Sequence, residues 1–321
     1  MKYLPHAISV LSLILVCSYI KYDSGRSTSL QQVEIPKQQN NYAFYKVDNP
    51  PAGEYAGYLN AVSLELPKEI SFAGERVPLE IPDVRERLDR ELHVNTYWHS
   101  STIFLMKRAH QWLPQIEKIL KENGVPDDFK YLTAIEGGFV NAVSPANAVG
   151  FWQILESAGE ENGLEITKEV DERYDPLKAT EAACKYLKKA HEKFGNWTNA
   201  AASYNRGMAG LQRALDNQKV DSYYDLLLNE ETSRYVFRIL AIKEIIENPK
   251  KYGFNIDQKH LYDPEELRYV KVDSDIKDLV AFSKDQGINY KLLKRHNPWL
   301  REDHLDVKRN RSYTIAIPLN P

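Results

Sequence analysis

Apolar residues recur at helical spacing through most of the chain after residue 84. One stripe begins at Ile103 and ends at Gly124, and a second runs from Pro126 to Glu136. An apolar residue every three or four positions is typical of an amphipathic helix packed on a core. A glycine just beyond the last apolar position is a common helix end. The pattern predicts two successive helices, and Glu136 is the last residue of the second.

Three further helices are predicted in the same part of the chain, over Pro176 to Phe194, Trp197 to Tyr204 and Thr232 to Asn248. The first has an apolar inner face and is followed by Gly195, which favours a helix end. That inner face is formed by Ala179, Ala183, Tyr186, Leu187 and Ala190. A mostly helical domain is therefore expected over residues 84–255.

The last sixty residues have a different pattern. Alternating apolar positions predict strands at 269–272 and 312–317, and helical spacing predicts helices at 275–286 and 290–295 between them. The expected fold class is therefore mainly α, with a small β-α-α-β C-terminal module over 268–318.

The first twenty residues differ from all the others. Lys2 precedes an apolar run from Ala7 to Ile20, and Lys21 follows it. A short positive segment before a short apolar run is typical of a secretory signal, and the run is short for a membrane span. Residues 1–20 are therefore predicted to be a signal peptide or membrane anchor. Residues 21–83 are predicted to be a tether and N-terminal extension, since their first forty positions are polar and lack a period.

The two cysteines add little to this picture. Cys17 raises the alternative of a lipid anchor, but Val16 stands where a lipoprotein signal requires a small residue. Cys184 is expected to be a small buried apolar residue, and no disulfide or metal site is predicted. The protein is expected to be exported to the periplasm or cell envelope, with lipid anchor, helical anchor and cleaved signal all left open.

Charge and aromatic content narrow the choice of partner. The formal net charge is −3, and basic residues are interspersed with acidic ones throughout the chain. No nucleic-acid partner is therefore expected, because such binding requires a concentrated basic face. The chain has 20 Tyr and 5 Trp. Aromatic faces stack on sugar rings, although most aromatic residues fill cores.

Glu136 is the first residue with candidate chemistry. It follows an apolar run and precedes Gly137 and Gly138, so its carboxyl group can project into a cleft. Ile135 and Phe139 would desolvate the carboxyl group, which disfavours its charged form and raises its pKa. A glutamate kept protonated near neutral pH can act as a general acid. The alternative is a surface glutamate at a helix C-terminus, where an anion is unfavourable.

Glu136 is also the first of several motifs in a fixed order. The others are Ser144-Pro145, Ala148-Val149-Gly150-Phe151-Trp152-Gln153, Ala202-Ser203-Tyr204-Asn205-Arg206-Gly207 and Glu231-Thr232-Ser233-Arg234-Tyr235-Val236. Each is weak alone, but the ordered set resembles the soluble lytic transglycosylase family, glycoside hydrolase family 23. The resemblance extends over most of 84–255 and implies a lysozyme-like α+β catalytic domain there.

The resemblance implies roles for the matching residues. Glu136 would be the single catalytic acid/base, and Gln153 would hydrogen-bond the sugar. Tyr204 and Asn205 would flank the scissile linkage. Glu231 would orient a neighbouring helix or the active-site tyrosine, with helix-start electrostatics as its alternative.

Three other residues of the implied substrate site have a structural alternative. Phe151 and Trp152 would shape the sugar platform, but a place in the core is an equal alternative. Ser144 matches the family motif, but Ser-Pro is also turn chemistry.

Two positions depart from the family pattern. Gly137 stands where the family usually has a serine that helps to hold the catalytic carboxyl group, which predicts a looser acid or lower activity. Asn147 stands where glycine is common, but asparagine tolerates the left-handed backbone conformation.

The resemblance also implies the reaction. Most glycosidases use two carboxylates, whereas this family uses one. Glu136 would protonate the oxygen of the bond between N-acetylmuramic acid (MurNAc) and N-acetylglucosamine (GlcNAc). It would then take the proton of the muramic acid C6 hydroxyl, closing a 1,6-anhydro ring. The expected partner is the peptidoglycan glycan strand, and no metal or cofactor is required.

Two alternatives remain open. One is a goose-type lysozyme-like hydrolase, which needs a second acid to activate water. The other is a non-catalytic peptidoglycan-binding scaffold that has lost activity through Gly137. In the C-terminal module, Asn297-Pro298 and the strand Tyr313 to Pro318 resemble a degenerate LysM glycan-binding module, and a purely structural appendage is the alternative.

Overall fold

The computed structural model describes residues 62–320. The predicted signal segment 1–20, Cys17 and most of the predicted tether lie outside these residues. Within the described part of the chain, no helix is long and apolar enough to cross a membrane.

The described chain is mainly helical, with two small antiparallel sheets. The first sheet pairs β1 with β2, and the second pairs β3 with β4. In chain order the elements are β1 (Ser71–Phe72), β2 (Glu75–Arg76), α1 (Pro82–Tyr97), α2 (His99–Glu122), α3 (Lys130–Glu136), α4 (Glu156–Glu161), α5 (Pro176–Phe194), α6 (Trp197–Arg206), α7 (Met208–Gln218), α8 (Glu230–Glu247), β3 (Leu267–Val272), α9 (Leu279–Asp285), α10 (Tyr290–His296) and β4 (Tyr313–Pro318).

Helix α5 shows how local sequence sets the boundaries of an element. Asp175 accepts hydrogen bonds from the N–H groups of Leu177 and Lys178, and Pro176 occupies the first helical position, where its missing N–H costs nothing. Gly195 ends the helix with φ of +73°, a conformation that glycine adopts without strain. The predicted span, Pro176 to Phe194, is confirmed.

Helix α8 lies at the centre of the larger core. It packs against α1, α3 and α6, and buried residues lie on all sides of its central stretch. Its buried residues include Tyr235, Val236, Phe237, Ile239, Leu240, Ala241, Ile242 and Ile245. A helical stretch that is buried on all sides lies inside the protein rather than on its surface. Tyr235 is therefore held in the interior, beside the end of α3.

The β1–β2 hairpin lies in the segment that the sequence assigned to the N-terminal extension. Phe72 is fully buried and packs edge-to-face on Phe129, with ring centroids 5.0 Å apart. Val77 and Leu79 are also buried in the larger core. Residues 70–79 therefore belong structurally to the helical domain.

The C-terminal module has its own core and the predicted β-α-α-β order. Its first helix begins at Leu279 rather than 275, because Asp278 caps it and the preceding residues form a bridge to Leu305. Asn297 is buried, donates to the carbonyls of Leu293 and Ala316, and accepts from the Ala316 N–H. This amide ties α10 to β4.

The module packs directly on the helical domain. Val170 forms a bridge with Leu300, and the Asp171 N–H donates to the Trp299 carbonyl over 2.9 Å. The Tyr313 hydroxyl donates to Glu165 over 3.1 Å.

Candidate active site

Glu136 is the last residue of α3, as predicted, and its side chain is partly buried. The hydroxyl group of Tyr235, on α8, donates a hydrogen bond to its Oε1 atom over 2.5 Å. Arg238, one turn further along α8, donates to the carbonyl of Ile135 over 2.8 Å. The end of α3 is therefore fixed to α8 by one side-chain contact and one backbone contact.

Burial raises the pKa of the Glu136 carboxyl above its ordinary value of 4.5. The hydrogen bond from Tyr235 and the positive charge of Arg238 act against this shift, and the negative charge of Glu231 adds to it. Desolvation is the largest effect, so the carboxyl group keeps its proton to higher pH than an exposed glutamate does. This is the property that a general acid needs.

Two tyrosines border the carboxyl group. Burial and the charge of Glu136 raise the pKa of Tyr235 and of Tyr204 well above 10, so both stay neutral. The Tyr204 hydroxyl donates to the Trp152 carbonyl over 2.8 Å, and its ring packs edge-to-face on Tyr186 at 5.3 Å. Tyr204 is thus near enough for the charge of Glu136 to act on it, and its implied place beside the scissile linkage stays a prediction.

Asn205 and Glu231 form one hydrogen-bonded pair at the start of α8. The Asn205 side-chain amide donates to Glu231 over 3.0 Å, and its oxygen accepts from the Thr232 hydroxyl over 2.8 Å. Glu231 itself is exposed and lies in the first turn of α8, where a carboxylate is favoured by the helix dipole. Glu231 therefore orients Asn205, a contact that the sequence pattern did not reveal.

Gln153 lies in the loop 137–154, which follows the catalytic helix. Its backbone has φ of +47°, and its side-chain NH2 group donates to the carbonyls of Ala142 and Gly150 over 3.0 and 2.8 Å. Both amide protons are thus committed to the loop. Only the amide oxygen remains for a ligand, so Gln153 can accept a hydrogen bond from a sugar hydroxyl but not donate one.

The prediction that Phe151 and Trp152 form a sugar platform is wrong. They are 3% and 0% exposed, so neither ring presents a face to a ligand. Phe151 packs edge-to-face on Trp112, and Trp152 donates its ring N–H to the Thr180 hydroxyl over 2.8 Å. Both support the loop from the core side, and Trp152 contributes to the site through its backbone carbonyl.

Ser144 and Asn147 shape the outer turn of the same loop. The Ser144 hydroxyl accepts from the Ala148 N–H over 3.0 Å, and Asn147 has φ of +60°. The left-handed conformation expected at Asn147 is therefore present, and Ser144 acts in this structure as a turn residue.

Gly137 is required by close packing. A Cβ atom built at this position would lie 2.6 Å from the Gly150 carbonyl oxygen and 2.7 Å from the Phe151 Cα. Both are backbone atoms, which cannot rotate away. The family's usual serine would therefore force this loop to shift, and Tyr235 supplies the hydrogen bond that holds the carboxyl group.

One group of potential metal ligands converges elsewhere in the described residues. Oxygen and nitrogen atoms of Glu169, His304 and Asp306 lie within 4.8 Å of one another. Asp306 is already paired with Lys277 at 2.9 Å, and Glu169 accepts a hydrogen bond from the Asp306 N–H. These contacts make the group an ion-pair cluster where the two domains meet, and it includes none of the residues around Glu136.

Comparison with known proteins agrees with this geometry. Residues 114–226 match the transglycosylase SLT domain, and residues 268–321 match the soluble lytic transglycosylase C-terminal LysM-like domain. The chain is 31% identical over 195 residues to membrane-bound lytic murein transglycosylase D of Escherichia coli K12, and equally to the protein of that name in Escherichia coli O6:H1.

The aligned part covers 58% of this chain but only 42% of each relative. The match therefore spans less than half the length of these two relatives. The SLT match contains Glu136, the loop after it and the Tyr204–Asn205 pair, and it ends before Tyr235. The chain thus carries a transglycosylase SLT domain followed by a LysM-like C-terminal domain, and it is homologous to membrane-bound lytic murein transglycosylase D.

Proposed function

We propose that this protein is a lytic transglycosylase that cleaves the MurNAc–GlcNAc β-1,4 bond of peptidoglycan and leaves 1,6-anhydro-MurNAc ends. The observation that carries the proposal is the partly buried Glu136 carboxyl, held by Tyr235 at the end of α3 within a matching SLT domain. Homology to lytic murein transglycosylase D supports the substrate class.

The geometry supports a mechanism with one carboxyl group. Desolvation raises the pKa of Glu136 and so favours its protonated form, which can donate its proton to the glycosidic oxygen. Once ionised, the carboxylate is stabilised by the Tyr235 hydroxyl and by Arg238, and it can accept the proton of the muramic acid C6 hydroxyl. Attack of that oxygen on C1 closes the anhydro ring, and Glu136 is protonated again. No water is consumed in this cycle.

The neighbouring residues would position the sugar. The Gln153 amide oxygen can accept a hydrogen bond from a hydroxyl group, and Asn205 is held in place by Glu231 and Thr232 beside Tyr204. Because these side chains are already fixed by protein contacts, little ordering entropy would be lost when the glycan binds.

The test is mass spectrometry of purified sacculi digested with the full chain, wild type beside Glu136→Gln. Anhydro-muropeptides are expected from wild type alone, because a side-chain amide in place of the carboxyl group cannot donate the required proton. Saturated reducing ends from wild type would show hydrolysis instead. Release of neither product, with folding and sacculus binding intact, would support the scaffold alternative.

Hydrolysis is the second candidate, and one observation favours it. Glu231 is a second carboxylate whose charge acts on Glu136, and it could activate water at the mouth of the site. Its hydrogen bond to Asn205 supports an orienting role instead. Glu231→Gln keeps an acceptor for Asn205 but removes the base. It should therefore retain most anhydro-product formation, and selective loss of a hydrolytic product would identify Glu231 as a base.

Envelope localisation follows from the proposed substrate, since peptidoglycan lies outside the cytoplasm. The LysM-like module is proposed to bind the same glycan. Binding of Glu136→Gln to sacculi, measured by co-sedimentation with and without residues 268–321, tests that part of the proposal.

A further inference from the structure

A second pocket opens where the helical domain meets the C-terminal module. Its volume is about 480 Å³, and most of its lining side chains are polar or charged. Its walls are Arg108 and Trp112 of α2, the segment 261–265, Arg295 of α10, and Phe139. Both domains thus contribute to it, and Phe139 lies three residues after Glu136.

Arg108 is the residue in this pocket that indicates a ligand. Its guanidinium group donates to the Gly138 carbonyl over 3.3 Å and lies 5.9 Å from the Phe104 ring centroid. It is half-buried, and it forms no ion pair with a carboxylate within residues 62–320. A guanidinium has five N–H donors, so most of its hydrogen-bonding capacity is unused.

The other charges around the pocket are largely compensated. Arg295 pairs with Glu265, and the His296 Nε2 atom lies 3.2 Å from the same carboxylate. The Asp263 side chain is 81% exposed, so water screens it. The uncompensated, partly desolvated charge is therefore the positive one of Arg108.

The segment 261–265 fixes this pocket in place. The Tyr262 N–H donates to the Lys107 carbonyl over 3.3 Å, the Tyr262 carbonyl lies 3.1 Å from the His110 ring nitrogen, and the Lys107 ammonium lies 5.0 Å from the Tyr262 ring centroid. The pocket is therefore formed in the free protein and needs no closure to exist.

We propose that this pocket binds a carboxylate of the peptide attached to the glycan, with Arg108 as the residue that recognises it. The proposal rests on the proposed function. The muramic acid that would react at Glu136 carries its peptide on the lactyl group. Arg108 contacts the backbone two residues after Glu136, so a peptide leaving the site past Phe139 meets the guanidinium. A guanidinium–carboxylate pair can be bidentate and is strong when partly desolvated.

The test compares the full-length protein on sacculi with native carboxylates and on sacculi whose carboxylates have been converted to methylamides. Wild type should prefer the native substrate by about tenfold in kcat/KM, the contribution of one charge-assisted hydrogen bond. Arg108→Gln should bring that ratio close to one. The ratio is measured within each variant, so any loss of folded protein cancels.

Arg213→Gln is the matched control. Arg213 is an exposed arginine on α7 that lines no part of the pocket, and this variant should keep the wild-type ratio. A second pair of substrates, peptide-free glycan and its methylamide, distinguishes the peptide carboxylates from the lactyl carboxylate, because the lactyl carboxylate remains after the peptide is removed. Wild type should show no preference between these two.

Three results would overturn the inference: a wild-type ratio of one, an unchanged ratio in Arg108→Gln, or a preference that persists on peptide-free glycan. The last would assign the charge contact to the lactyl group. Absence of anhydro products from wild type on every substrate would instead reject the proposed function, so the two failures are distinguishable.

Discussion

Gly137 offers the sharpest test of how this site is built, because the family's usual serine can be introduced there. The backbone φ of −100° is accessible to any residue, so the cost of a side chain is purely steric. A Cβ atom at 2.6 Å from the Gly150 oxygen is roughly 0.8 Å short of ordinary contact.

The Gly150 carbonyl cannot easily yield. It accepts hydrogen bonds from the Gln153 side chain over 2.8 Å and from the Gln153 N–H over 3.2 Å, while the Gly150 N–H donates to Ala142 over 2.9 Å. Overpacking of this kind costs about 1–3 kcal/mol. Replacing glycine also lowers the entropy of the unfolded chain, which returns about 0.4–1 kcal/mol.

The net expectation for Gly137→Ala and Gly137→Ser is a destabilisation of about 1.3 kcal/mol at the middle of these ranges and about 2.6 kcal/mol at most, with a mid-range loss of about 3–5 °C in the unfolding midpoint. The rate of anhydro-product release should fall by more than the loss of folded protein explains, because the strained turn carries Gln153. Calorimetry and anhydro-product release measure the two effects.

Gly138→Asn is the control. Gly138 has φ of +58° and nothing within 4 Å of a built Cβ, and asparagine tolerates that conformation. Gly138→Asn should therefore destabilise the protein clearly less than Gly137→Ala or Gly137→Ser does. If Gly137→Ser melts at the wild-type temperature and cleaves faster, the turn is more compliant than the contacts indicate, and the steric argument fails.

Three further outcomes are expected. Tyr235→Phe removes a hydrogen bond that favours the Glu136 carboxylate, so the pKa of Glu136 should rise further. The alkaline limb of the pH–rate profile should then move to higher pH, and a limb that stays in place would contradict this. The pKa of Glu136 is higher in the folded protein than in the unfolded chain, so above pH 4.5 the unfolded chain releases a proton that the folded protein still holds. The free energy of unfolding therefore decreases as pH increases from about 4.5 towards the folded-state pKa. Glu136→Gln should therefore melt higher than wild type at neutral pH, with the difference shrinking towards pH 4, and a difference independent of pH would count against the shift. Asn297→Ala removes the side-chain partners of the buried Ala316 N–H and carbonyl, whereas the Leu293 carbonyl keeps its bond from the Asn297 backbone N–H. The C-terminal module should be destabilised by about 1–3 kcal/mol, and amide exchange in β4 should be faster. Unchanged exchange there would show that the side-chain amide is dispensable.

The elements that the sequence predicts well are those whose limits are local. The boundaries of α5 follow from Asp175, Pro176 and Gly195, and the end of α3 at Glu136 follows from the two glycines after it. Helix α7 was not predicted, because its apolar positions are few and it follows α6 with only Gly207 between them. The β1–β2 hairpin was also missed, since two-residue strands are too short to show an alternating pattern.

The order of motifs and the identity of Glu136 as the candidate acid were determined by the sequence alone, because residue types and spacing are local properties. Only the tertiary structure decided which side of the loop 137–154 meets the core. It buried Phe151 and Trp152, turned the Gln153 NH2 group inward and left no room for a side chain at Gly137. It also set Tyr235 against Glu136 across 99 positions of the chain, and joined α2 to α10 around Arg108. Such contacts depend on packing between residues far apart in sequence, and no local period encodes which of them will meet.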